Sequence, residues 1–89
     1  MPLVVFTGNL QRHVACPPCR VGGLTVRESL GQAFARYPAA RGYVLDEHGA
    51  LRHHMAIFVD GKPVADRRHL SDPVPEEGEI FVLQALSGG

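Results

Sequence analysis

The sequence predicts an α+β fold, a mixed β-sheet packed on one main helix, in a single domain spanning residues 1–89. Three observations carry this. An apolar, β-favouring run opens the chain (Leu3, Val4, Val5, Phe6) and another closes it (Ile80, Phe81, Val82, Leu83). Between them lies one capped stretch with helical periodicity, followed by a hairpin signal at Asp60 and Gly61.

Residues 3–7 read as the first strand, ended by Gly8 and Asn9. A second strand is expected over residues 11–15, resuming over 20–24 after an interruption at Cys16, Pro17, Pro18 and Cys19, so that the first two strands form a hairpin. Thr25, Val26, Arg27 and Glu28 match a capping box, in which Thr25 accepts from the Glu28 N–H and the Glu28 side chain reaches back to the Thr25 N–H. Behind it Val26, Leu30, Ala33, Phe34 and Tyr37 share one helical face, while Gln32 and Arg36 face away. Pro38 ends the helix near Tyr37, because the residue before proline is pushed out of the α region.

Residues 39–52 are less regular, with Tyr43, Val44 and Leu45 as a short strand or helical turn and residues 46–49 as a loop. Met55, Ala56, Ile57, Phe58 and Val59 form a strand, turned at Asp60 and Gly61, and residues 62–65 start its return. Residues 72–78 are a turn-rich connection to the last strand. If that strand lies beside the first, the sheet closes around the helix in a β-grasp arrangement.

Composition narrows the function classes. Nine basic and nine acidic residues cancel, so the chain lacks the electrostatic footprint of a nucleic-acid binder. No apolar run is long enough to span a membrane, and no basic region precedes the opening strand as in a signal peptide. A cytoplasmic domain is the expectation.

The chain ends Leu86, Ser87, Gly88, Gly89. Glycine lacks a Cβ, so residues 86–89 are expected to form a thin, flexible tail that can enter a slot too narrow for side chains. Extended, it reaches about 13 Å. A Gly-Gly end arises by chance in about one chain in two hundred at ordinary glycine usage, so its weight depends on what precedes it.

What precedes it resembles the MoaD/ThiS-like sulfur carriers, which are ubiquitin-like β-grasp proteins. The resemblance rests on the helix opened by Thr25, the Phe58-Val59-Asp60-Gly61-Lys62-Pro63-Val64 hairpin, the acidic-Gly-acidic approach Glu77-Gly78-Glu79 to the last strand, and the Gly88-Gly89 end. It implies that a ubiquitin-activating-enzyme-like adenylating and sulfur-transfer enzyme, using ATP, activates Gly89 as an acyl adenylate. Sulfur then converts it to a thiocarboxylate, which donates to a sulfur-accepting biosynthetic enzyme. Gly89 is the reacting residue, Ser87 and Gly88 its tail, and the chain is a carrier and substrate with no bound cofactor rather than an enzyme. The chemistry agrees, since a C-terminal carboxylate with pKa about 3.5 is an anion at neutral pH and needs a leaving group before a nucleophile can attack. Three alternatives stay open: the small subunit of molybdopterin synthase, a ubiquitin-like modifier joined to lysine through Gly89, and a small metal or redox module at Cys16 and Cys19.

Cys16 and Cys19 read as an ordinary loop. A redox pair of this spacing normally opens a helix, and a tetrahedral zinc site needs two further ligands, for which His13, His48, His53 and His54 offer no second paired motif. His53 and His54, adjacent in extended chain, would point to opposite faces, and His69 reads as a surface residue. No metal site is expected. Alternation directs Ile57, Val59, Ile80 and Val82 to the helix and Phe58, Phe81 and Leu83 to the other face. One helix cannot cover both faces, so Phe58, Phe81 and Leu83 are the candidate partner-binding patch.

Overall fold

The computed structural model describes residues 1–84. Its elements are β1 (Leu3–Phe6), α1 (Gly8–Gln11), β2 (Cys19–Arg20), α2 (Val26–Arg36), α3 (Pro38–Val44), β3 (Met55–Val59), β4 (Lys62–Pro63) and β5 (Glu79–Gln84). They form one five-stranded sheet in the order β2-β1-β5-β3-β4. β5 is central, parallel to β1 (Val4 beside Ile80, Phe6 beside Val82) and antiparallel to β3 (Ile57 opposite Val82, Met55 opposite Gln84). The last strand thus lies beside the first, which is the condition on which the β-grasp arrangement rested.

Strand alternation sends Val4, Phe6, Ile57, Ile80 and Val82 into one buried cluster with Val26, Leu30, Ala33 and Phe34 of α2. The Phe6 and Phe34 rings sit 6.1 Å apart, and Tyr37 meets Phe6 edge-on. The main helix runs as the periodicity predicts. Its cap differs in one bond. Thr25 Oγ1 accepts from the Glu28 N–H at 3.2 Å, but the Glu28 carboxylate turns back one residue further, to the Leu24 N–H at 2.9 Å.

Three expectations are corrected. Residues 11–15 are not a strand. The chain instead makes a helical turn, α1, which drops Leu10 into the core, and Gln11 Nε2 donates to the Phe6 carbonyl. β2 shrinks to two residues, with Leu3 opposite Arg20 and Val4 opposite Cys19, so β1 and β2 are joined by a long connection rather than a tight hairpin. Residues 38–44 form a second helix. Pro38 both stops α2 and starts α3, because its fixed φ suits the first helical position. Ala40 and Val44, four apart on one face, carry α3 into the same core. Third, the expected loop holds for Cys16 but not for Cys19, which belongs to β2, and both are buried core residues with free thiols.

Side chains on loops set the ends of the central strands. Asp60 and Gly61 both take positive φ, 49° and 83°, as a two-residue hairpin of mirror-image turn requires. The Asp60 carboxylate also accepts from the Glu79 N–H at 2.8 Å, fixing where β5 begins. At the other end of β3, Arg67 Nη2 donates to the carbonyls of Arg52 and Met55. Arg67 is held on the turn around Asp66, which accepts from the Ser71 hydroxyl and the His69 N–H. Those hydrogen bonds, that of Ser71 foremost, lower the Asp66 carboxyl to about 2.

Candidate functional site: the outer sheet face and the end of β5

β5 is where the sequence-predicted site begins. Phe81 and Leu83 alternate with the buried Ile80 and Val82, so they stand on the face turned away from α2. Phe81 is opposite Phe58 of β3 and beside Val5 of β1, and Leu83 is opposite Ala56. Opposed residues on one face have their Cβ atoms about 5 Å apart. Phe58, Phe81 and Leu83 therefore come together in one apolar strip across three strands, extended by Val5, Ala56 and Leu3. All six are half-buried, each shielding its neighbours' flanks. Val5, Ala56 and Leu3 were missed by sequence reasoning, although once β1 is placed parallel to β5 the same two-residue period finds Leu3 and Val5.

The far end of β5 is braced. Both the Thr7 N–H and its hydroxyl donate to the Val82 carbonyl, at 3.0 and 3.3 Å. The Asn9 amide donates to the Gln84 side-chain oxygen, so the α1 turn grips the last residues of the strand. Around Gln84 lies a hollow of about 100 Å3 lined by Asn9, Leu10, His13, Tyr43, His54 and Met55. The His13 ring stacks on Tyr43, with centroids 5.5 Å apart. Gly89, Gly88 and Ser87 lie outside the described residues, as do Ala85 and Leu86.

The rival constellations all lie among the described residues. Burial, and the neighbouring Cys19 thiol after it, raise the Cys16 pKa, so the thiolate needed for metal binding or exchange is disfavoured. Cys16 Sγ lies 3.3 Å from the Val14 carbonyl and can donate to it. His53 and His54 sit in a turn rather than in extended chain, and their rings meet edge-on at 5.7 Å instead of pointing apart. His69 is exposed and lies beside Asp66. Among the described residues no three His, Cys, Asp or Glu side chains converge as metal ligands would. None of the described helices is long and apolar enough to cross a membrane.

No family model matches the chain, and no curated protein does. Solved structures match over nearly their whole length. SAMP1 from Haloferax volcanii is 21% identical with a TM-score of 0.81, covering 99% of this chain and 98% of that one. The Amycolatopsis orientalis BexX/CysO complex contains a chain 20% identical with a TM-score of 0.83, covering 100% of both. Sulfolobus solfataricus Urm1 is 18% identical with a TM-score of 0.68, covering 93% of this chain and 99% of that one. Identities this low speak to fold alone, and the match covers 93–100% of this chain in the three structures. The chain has the ubiquitin-like β-grasp fold that these structures share.

Proposed function

We propose that the chain is a ubiquitin-like sulfur carrier, charged at its own C-terminus by a partner enzyme. The observation that carries this reading is the placement of β5. β5, the last described element before residues 85–89 in the sequence, is the centre of the sheet, paired on both sides. A terminus leaving such a strand is held to a rigid body that a partner can grip. In the proposed reaction a Gly89 carboxylate oxygen attacks the α-phosphorus of ATP on the partner, and pyrophosphate leaves. Sulfide delivered by the partner then forms a C–S bond at the Gly89 carbonyl as the bond to AMP breaks and AMP leaves. The resulting thiocarboxylate passes its sulfur to a biosynthetic enzyme. This chain contributes the reacting carboxylate and no catalytic group, and ATP belongs to the partner.

The strip of Phe58, Phe81 and Leu83 is the proposed docking surface for the activating enzyme, supported by its apolar character and by the position of α2 and α3 on the other face. The solved complex of a protein with this fold, CysO with BexX, supports an interaction of this general kind. Leu83→Glu is expected to raise the Kd for the adenylating enzyme roughly tenfold or more, while far-UV and near-UV circular dichroism stay those of the wild type. Loss of fold would mean that Leu83 belongs to the core.

A second reading has its own support: two matched structures are described as small archaeal modifier protein 1. A modifier would form an amide between Gly89 and a lysine. Intact-mass measurement of the protein recovered from cells separates the two. Exchange of one terminal oxygen for sulfur supports the carrier, covalent protein adducts through Gly89 support the modifier, and an unaltered mass under all conditions of sulfur demand contradicts both.

A further inference from the structure

A second site lies on the opposite side of the molecule from the sheet strip. Between α2 and α3 a groove of about 350 Å3 is floored by Leu30, Phe34, Leu45 and Leu70 and edged by Arg27 and Arg41. The volume falls in the range of small-molecule sites, about 300–1,000 Å3. Two guanidiniums converge at its rim. Nitrogens of both come within 4 Å of the point where a side chain at Gly49 would begin, and Gly49 has φ of 80° in the turn that follows α3.

The acids that could neutralise this pair are engaged elsewhere. Among the described residues neither Arg27 nor Arg41 is within ion-pair distance of a carboxylate. Asp46 turns into its own loop, accepting from the N–H groups of His48 and Ala50 at 2.8 and 3.0 Å. Glu47 reaches His48, and Glu28 accepts from Leu24. Arg27 also sits in the first turn of α2, the end of a helix where a cation is unfavourable and an anion is welcome. Its Nε donates to the His69 carbonyl at 2.8 Å, which fixes the guanidinium while leaving its two terminal nitrogens toward Gly49. Two like charges, one anchored, beside an apolar trough form a cation pair that lacks its counterion.

We infer that Arg27 and Arg41 form an anion clamp at the lip of this groove, and that its ligand is a small-molecule carboxylate carrying an apolar chain. The carboxylate would bridge the two guanidiniums, whose planar donors suit its two oxygens. The chain would lie along Leu30, Phe34, Leu45 and Leu70. The short wall favours a small molecule over a partner helix: α3 has seven residues, about 10 Å along its axis. The groove shares no lining residue with the docking strip, and it stands whether or not the sulfur-carrier reading does.

The test uses the full chain and three probes, octanoate, octanol and acetate, followed by amide chemical shifts. Octanoate should give saturable shifts at Arg27, Arg41, Leu45, Gly49 and Leu70, with octanol and acetate each binding at least about tenfold more weakly. Arg41→Gln should weaken octanoate binding by a similar factor and bring the headgroup down to the octanol level. Arg41 donates no side-chain hydrogen bond among the described residues, so this variant keeps the fold and the test stays decisive. Arg27→Gln, which also gives up the bond to His69, should behave likewise if its unfolding midpoint holds. Equal binding of octanol and octanoate, an unchanged octanoate affinity in Arg41→Gln, or no saturable shifts would overturn the assignment. So would saturable binding at these residues by a peptide alternating glutamate and leucine when octanoate fails.

Discussion

Phe34→Ala is expected to remove roughly 3–5 kcal/mol of stability, the usual cost of deleting a buried phenylalanine ring. Phe34 projects from the apolar face of α2 onto Phe6, and Leu30, Ala33, Ile80 and Val82 belong to the same buried cluster. The lost transfer energy adds to that of a cavity which the sheet cannot fill, because β5 is pinned on both sides by β1 and β3. Small domains hold only about 5–15 kcal/mol in total, so the substitution takes a large share. Urea denaturation followed by circular dichroism should show a clearly lower midpoint. Arg36→Ala, two residues along on the exposed side of the same helix, should change stability by no more than about 0.5 kcal/mol. Equal effects from the two substitutions would mean that the inward face of α2 is misassigned.

Much of this architecture was legible in the chain because local signals and the global fold agree. Thr25, Glu28 and the spacing of Val26, Leu30, Ala33 and Phe34 all point to one helix with one buried face, and the structure has it. Asp60 and Gly61 specify their turn by backbone conformation, and the period of two in Ile80, Phe81, Val82 and Leu83 separates the sheet's two faces without any knowledge of its partners. What stayed hidden depends on contacts made across the fold. Leu10 is buried by residues distant in sequence, and once it enters the core the turn around it winds into α1 instead of extending as a strand. α3 escaped because Pro38 reads equally well as the stop of one helix and the start of the next, and only the burial of Ala40 and Val44 decides between them. The burial of Cys16 and Cys19 had no local signal either, since a Cys-Pro-Pro-Cys run looks polar and turn-like until β2 pairs with β1.

The candidate site divides in the same way. The strip of Phe58, Phe81 and Leu83 follows from alternation, and the register of β1, β3 and β5 brings those three together with Val5 and Ala56. Arg27 and Arg41 were invisible as a pair. They are fourteen positions apart, on two helices of which one was not anticipated, and nothing but the packing of the loop at Gly49 between them creates the clamp.

Removing Gly89 is expected to abolish charging altogether. Adenylation needs the α-carboxylate at the reacting phosphorus, and deleting one residue leaves it about 3.5 Å short. Reacting atoms must approach to about 3–3.5 Å in a near-attack geometry, so a displacement of that size removes the reaction. Appending one alanine after Gly89 should fail as well, because the carboxylate overshoots and a methyl group occupies a slot suited to glycine. Neither change alters a residue of the buried cluster described among residues 1–84, so thermal unfolding should match the wild type. ATP–pyrophosphate exchange with the cognate adenylating enzyme, run on the wild type and both variants, is the direct measurement. Exchange by the wild type with none above background from either variant is the predicted result. Full exchange by either altered terminus would contradict it, since activation would then not depend on a free carboxylate at Gly89.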